Sequence, residues 1–251
     1  IINNSDLLLT IGTRLATSAI GFEYKEFANS AKKVIVDIDP KEHRKGTIKY
    51  DLLLKADATQ FLQILPDMFQ GNNYKNWLSK CRLASAKLPI QEVFSTENFI
   101  SIYDTVRLIS AYSNDSDILV SDAGSSYYVS SIMFTKRKHQ RYITSGSQAD
   151  MGFALPAGIG CSFAHDSCNR IHVITGDGSL QLNIQELQTM KTYERNLTVY
   201  VLNNNGYLSI RSTQNRFFKG RQCGTDSSNG VEFPDLSKIA YAYGIKYFRF
   251  N

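Results

Sequence analysis

The sequence predicts an α/β protein with parallel sheets, and three observations carry that expectation. Short apolar runs recur along the chain: Leu7 to Ile11, Lys33 to Asp39, "DILVSD" ending at Asp122, His172 to Thr175, and Leu197 to Leu202. Stretches with helical spacing separate them, and strands joined through helices pair in parallel. Several runs end directly on turn residues, at Gly12, at Gly124, at Gly176 and at Asn203 to Gly206. Together these describe Rossmann-like, three-layer domains.

Each element follows from its local text. After the first run comes a helix expected around Tyr24 to Ser30, then the strand "KVIVDID" closed by Pro40. Phe61, Leu62 and Leu65 predict a helix from Ala58 that stops before Pro66. Residues 71–97 are mixed and polar, with one helical patch around Trp77 and Leu78, and read as a connector. The chain thus divides into residues 1–70, a linker over 71–97, and a second domain over 98–251.

That second domain opens on a helix marked by Phe99, Ile102, Val106 and Ile109. Met151, Leu155 and Ile159 recur at fourfold spacing on a background of small residues that permits close packing. A helix is expected from about Leu180 to Tyr193, with Ile184, Leu187 and Met190 on one face. "FPDLSKIAYAYGIKYFRF" predicts a Pro-started helix, a stop at Gly244 and a final strand running to Asn251. The chain enters a strand almost at Ile1 and breaks off inside another, so it reads as a fragment with residues absent upstream and a second domain unfinished at its C-terminal end.

Composition narrows the function classes. A formal charge of +5 arises from 28 basic against 23 acidic residues, and its clearest cluster is Lys136, Arg137, Lys138, His139 and Arg141. No basic and aromatic repeat surrounds that cluster, so it reads as a solvated turn rather than a nucleic-acid surface. The four cysteines form no CxxC pair, which suits a reducing, cytoplasmic setting without zinc or disulfides. No apolar run of about eighteen residues suggests a membrane span.

Function is concentrated in "ITGDGSLQLN", where Asp177 sits between Gly176 and Gly178 directly after a strand. Parallel strands with a helical crossover deliver successive loops to one sheet edge, so Asp177 is expected to meet Asn204. A carboxylate and an amide oxygen are hard donors suited to Mg²⁺ or Ca²⁺, and Gly206 can add its carbonyl. A cation held by so few protein groups keeps positions open for phosphate oxygens. Gly176 and Gly178 permit close approach of a diphosphate, and Ser179 opens a helix whose N-terminus favours anions. Gly124, Ser125 and Ser126 offer a second such cradle after a strand. A Rossmann-type dinucleotide binder is the alternative, since βαβ units alone do not choose between them.

The segment "GDGSLQLNIQELQTMKTYERNLTVYVLNNNGY" closely resembles the thiamin-diphosphate fingerprint of the acetolactate synthase and pyruvate decarboxylase family. The resemblance implies that Asp177, the Asn204 side chain and the Gly206 carbonyl ligate Mg²⁺. It implies that Gly124, Ser125, Ser126, Gly176, Gly178, Ser179 and Tyr207 line the cofactor. Met151 would force the cofactor into a bent shape, and Ala149, where acetolactate synthases have glycine, would offer its carbonyl to the aminopyrimidine. Residues 1–70 look like the end of the family's central domain, which carries FAD in some members; Arg14 matches a flavin-contacting arginine, while a GxGxxG counterpart is missing.

The implied activity is decarboxylation and carboligation of 2-keto acids, in an acetolactate synthase-like transferase or lyase of two or four identical chains. The activating glutamate comes from an N-terminal domain in that family, and none of Glu23, Glu26, Glu42 and Glu186 can be assigned its role, so this chain alone is expected to be inactive. Ile210 and Gln214 are candidate pocket residues and Arg211 a candidate carboxylate binder. Pyruvate decarboxylases have an acid aligned with Ile210, which favours carboligation here. The acetolactate synthases' tryptophan after the metal loop is replaced by Thr213, which leaves another 2-keto acid or a cyclic dione open.

Overall fold

The computed structural model describes residues 1–68, 73–87, 99–146, 148–164 and 170–250, the side chains of Ser18 and Met68 excepted. It forms two compact units, Ile1–Pro89 and Ile90–Asn251. Of the expected connector and domain start, residues 71–72 and 88–98 lie outside the described residues.

The first unit is a parallel sheet of β1 (Leu7–Ile11), β2 (Lys32–Asp37) and β3 (Leu52–Lys55), in that order. Its core joins Leu15, Ile20 and Ile35. The helix expected over Tyr24 to Ser30 is replaced by a series of turns, and the helix before it, α1, is short (Thr17–Ile20). Ala28 explains the difference: its φ of 48° is left-handed, and its N–H donates to Asn3 Oδ1 at 2.9 Å instead of joining a helix. Strand β3 carries too few residues to show an alternation. Helix α2 (Ala58–Met68) runs through Pro66 rather than stopping before it. Proline removes one backbone bond in the last turn there and leaves the earlier turns intact. Helix α3 (Lys75–Lys87) buries none of its residues.

The second unit is built in chain order from α4 (Ile102–Tyr112), β4 (Ile118–Ser121), α5 (Ser125–Met133), β5 (Arg141–Thr144), α6 (Ala154–Ala164), β6 (Ile171–Gly176) and α7 (Asp177–Gln181). It continues through α8 (Glu186–Tyr193), β7 (Leu197–Leu202), α9 (Leu208–Phe217) and α10 (Leu236–Ala242). The sheet is parallel with order β5-β4-β6-β7. Alternation of side chains across β4 and β6 makes three layers. Ile118, Val120, Ile171 and Val173 face α6, α7 and α8 through Leu155, Ile159, Leu180 and Leu187. Leu119 and Ile174 face α4 and α5 through Val106, Ile109 and Val129. Each such buried aliphatic side chain contributes about 1.5–3 kcal/mol.

Small residues do allow close approach: a Cβ on Gly158 of α6 would lie 2.4 Å from Val173 Cγ2. At the end of the sheet opposite the loops, buried His172 places Nε2 3.1 Å from Asp117 Oδ2 and Nδ1 3.1 Å from the Tyr200 hydroxyl.

Four expectations for the second unit are corrected. Met151 precedes α6 in a turn, so its spacing from Leu155 is not helical. The helix expected from Leu180 to Tyr193 is two, because backbone bonds at its middle close over three residues, Leu182 to Ser179 (3.2 Å) and Asn183 to Leu180 (3.3 Å). Phe99 stands 79% exposed ahead of α4. Residues 245–250 join no ladder, so the final strand is absent among the described residues. No described helix is long and apolar enough to cross a membrane.

Candidate functional site

The strand order reverses direction between β4 and β6: β5 lies on one side of β4, and β6 and β7 lie on the other. Loops at the C-terminal ends of strands open a crevice at such a reversal. The turns after β4, β6 and β7 all emerge at this edge.

Asp177 is 3% exposed. Its Oδ1 accepts from its neighbour's N–H, Gly178, at 2.8 Å, and its Oδ2 accepts from Gly206 N–H at 3.1 Å. The GDG turn and the Asn loop are therefore in direct contact, as the strand order requires. Burial pushes the Asp177 carboxyl above its ordinary range, against the backbone N–H groups of Gly206, Gly178, Asn204 and Asn205, which favour the anion. Asn204, whose backbone N–H is one of these groups, has its Oδ1 buried without a hydrogen-bond partner. A desolvated carboxylate and an orphaned amide oxygen on two touching loops are an arrangement that a cation completes. No group of three or more His, Cys, Asp or Glu side chains that could hold a metal occurs among the described residues. Any cation here would thus rest on mixed hard oxygens, which fits Mg²⁺.

Two glycines are dictated by contact. A Cβ on Gly178 would lie 2.3 Å from Tyr207 Cε1, and the Tyr207 ring packs edge-on against Phe233 at 5.6 Å. A Cβ on Gly206, at φ 141°, would lie 2.0 Å from the Thr225 carbonyl oxygen. Ser179 is buried in the first turn of α7, after Gly176.

Across the crevice, Gly124 adopts φ 66° and caps α5, so the N–H groups of Ser125 and Ser126 open that helix. The first N–H groups of a helix have no intrahelical acceptor and suit an anion. Ser209 Oγ of α9 lies 3.4 Å from where a Gly124 Cβ would stand, so the start of α9 borders this cradle.

The segment before α6 is clamped. Asp122, 2% exposed, accepts from Gly152 N–H at 3.0 Å, Ala154 N–H at 3.0 Å, Ala123 N–H at 2.8 Å and the Thr175 hydroxyl at 3.2 Å. Asn183 Nδ2 donates to the Gly152 carbonyl at 2.8 Å. Met151, half-buried, directly precedes these anchors, while Ala149 is exposed with φ 56°. Sequence reasoning assigned no role to Asp122 or Asn183. An acid ending a buried strand before Ala-Gly-Ser-Ser was the available signal for the first; nothing in the sequence marked Thr225.

Ile210, on α9, is 44% exposed. Gln214 pairs both ways with the backbone of Cys223, donating to its carbonyl at 3.1 Å and accepting from its N–H at 2.9 Å. Arg211 donates to Asp226 at 2.9 Å and to the Asn204 carbonyl at 3.3 Å. In the first unit, Arg14 is exposed after β1 and its carbonyl accepts from Lys45 Nζ at 2.7 Å.

A sheet crevice that gathers a glycine-flanked acid, an orphaned amide oxygen and two helix N-termini defines a diphosphate-binding α/β protein. Residues 122–251, just over half the chain, match the family described as thiamine pyrophosphate enzyme, C-terminal TPP binding domain. The chain belongs to that family of thiamine pyrophosphate enzymes. It is similar to the probable acetolactate synthase large subunit of Methanococcus aeolicus, 27% identical over 98% of this chain and 43% of the relative. The acetolactate synthase large subunit of Cyanidium caldarium is 28% identical over 98% of this chain and 42% of its own length. The chain therefore spans about two fifths of these relatives. Its fold resembles that of the Rhodococcus jostii RHA1 thiamine diphosphate-dependent 4-hydroxybenzoylformate decarboxylase, with a TM-score of 0.66, 22% identity, and coverage of 95% of this chain and 42% of that one.

Proposed function

We propose that the chain is the thiamin diphosphate- and Mg²⁺-binding portion of an acetolactate synthase-like enzyme that decarboxylates 2-keto acids and joins the product to a second carbonyl. The observation that carries this reading is the buried Asp177 carboxylate beside the unpartnered Asn204 Oδ1, at the ends of adjacent strands β6 and β7. Asp177, Asn204 and the Gly206 carbonyl would hold the cation. Gly124, Ser125, Ser126, Gly176, Gly178 and Ser179 would receive the diphosphate, and Tyr207 would wall it. Bound there, the cofactor supplies the nucleophilic carbon and the electron sink that the reaction needs.

The remaining steps belong to this chain's own groups. Met151, fixed through Asp122 and Asn183, would bend the cofactor; Ala149 would accept from its amino group; Ile210 and Gln214 would border the substrate. The acetolactate synthase relatives support carboligation over simple aldehyde release. A cytoplasmic assembly of two or four copies accompanies this reading.

The test is calorimetry on the intact protein. Thiamin diphosphate should bind only with Mg²⁺, and Asp177→Ala should abolish binding. Tight NAD binding without Mg²⁺ dependence would instead make the protein a dinucleotide binder.

A further inference from the structure

Arg211 stands under the loop that carries Asn204 and Gly206. Its Nη1 donates to Asp226 Oδ2 at 2.9 Å, and its Nη2 donates to the Asn204 carbonyl at 3.3 Å. Both side chains of the ion pair are largely buried, 23% and 15% exposed. Asp226 directly follows Thr225, whose carbonyl accepts from Tyr207 N–H at 2.8 Å and occupies the space denied to a Gly206 Cβ. Asn229 in turn accepts from the N–H groups of Thr225 and Asp226. One guanidinium therefore grips the loop twice, at Asn204 directly and at Gly206 and Tyr207 through the segment following Gly224.

This grip bears on the orphaned oxygen. The bond to its carbonyl limits how far the Asn204 backbone can turn, and Oδ1 on that backbone is buried without a protein donor. The two acceptors are served from two separate nitrogens, Nη1 and Nη2, of one planar fork, whereas an ammonium must donate all its N–H groups from a single nitrogen.

We propose that Arg211 is a positioning residue of the metal loop: through Asp226 and the Asn204 carbonyl it holds Asn204 Oδ1 and the Gly206 carbonyl ready for a divalent cation. This rests on the Mg²⁺ reading given above. It gives Arg211 a different task from binding a substrate carboxylate.

The experiment uses the intact protein and its Arg211→Lys, Asp226→Asn and Asp177→Ala variants, titrated calorimetrically with Mg²⁺ at saturating thiamin diphosphate. Groups that orient metal ligands typically change metal affinity about 10–100-fold, and that loss is expected for Arg211→Lys and Asp226→Asn. Both variants should remain folded without Mg²⁺, melting somewhat lower because the pair is largely buried, and amide exchange at Gly206 and Tyr207 should be faster in them than in the cation-free parent. Unchanged Mg²⁺ affinity in both variants overturns the proposal. So does a raised KM for the 2-keto acid at unchanged Mg²⁺ affinity, which would make Arg211 a substrate binder. If the parent binds no Mg²⁺, or Asp177→Ala binds it equally well, the metal reading itself falls and this proposal falls with it.

Discussion

The ring of Tyr207 fills the space that a side chain on Gly178 would need, with Cε1 2.3 Å from the position of a Cβ. The turn after β6 and the loop after β7 are thus fitted to each other. Gly178→Ala should push the ring off its Phe233 contact, and overpacking of this kind costs about 1–3 kcal/mol. Urea unfolding measures the loss, and cofactor binding should weaken with it.

Gly206→Ala should be worse. The obstacle is the Thr225 carbonyl at 2.0 Å, which is backbone and cannot rotate away, and φ is 141°. Strain and clash together predict a loss of roughly 3 kcal/mol or more. The same unfolding series would rank it above Gly178→Ala.

Asp122→Ala would orphan the N–H groups of Ala123, Gly152 and Ala154, while the Thr175 hydroxyl would keep the Gly176 carbonyl at 3.3 Å. Each buried unsatisfied group costs about 1–3 kcal/mol, so several kcal/mol of stability should go. Asp122→Asn keeps one acceptor oxygen and should cost less. In Asp122→Asn, thiamin diphosphate affinity should still fall, because one of the two bonds to Gly152 and Ala154 that fix the segment after Met151 is lost.

Ala149→Gly should stabilise. A left-handed φ of 56° costs a non-glycine residue roughly 1–2 kcal/mol, while glycine adds about 0.4–1 kcal/mol of unfolded-state entropy. The balance is a gain of up to about 1.6 kcal/mol, readable as a higher denaturation midpoint.

The buried pair at the opposite end of the sheet predicts a pH dependence. Burial holds His172 below its ordinary value of 6.5, against the pull of Asp117. Asp117 is itself held below 3.8: burial raises it, but the Asn114 N–H and His172 outweigh that. Both groups have depressed folded values, so the stability they supply is present above their unfolded values and lost as pH falls through the folded ones. The protein should therefore lose stability as pH drops below about 6.5, with the histidine contributing first. His172→Gln keeps hydrogen-bonding capacity without titrating and should flatten the upper part of that decline in melting temperature.

Much of this site could be read from the sequence because its parts are local. Gly176 to Ser179 and Asn203 to Gly206 are contiguous stretches, and parallel topology alone brings their strand ends together. What was not legible depends on distance along the chain. Asp122 meets Gly152 and Ala154 from thirty or more positions away, and Thr225 is chosen by the shape of a loop rather than by any pattern. The same holds for elements: Ala28 breaks the expected first-unit helix through a bond to Asn3, and Asn183 leaves helical register to reach Gly152.

The hydrogen bond between His172 and Tyr200 has a bearing beyond titration. Strands β6 and β7 pair with Gly176 opposite Leu202, and a slip of one notch would displace Asp177 by about 3.3 Å relative to Asn204 and reverse which face each side chain meets. The imidazole works like the detent on a sliding rule, stopping the two scales where their far ends agree. Damage at that remote stop would be felt first as misaligned ligand loops, well before the sheet itself came apart.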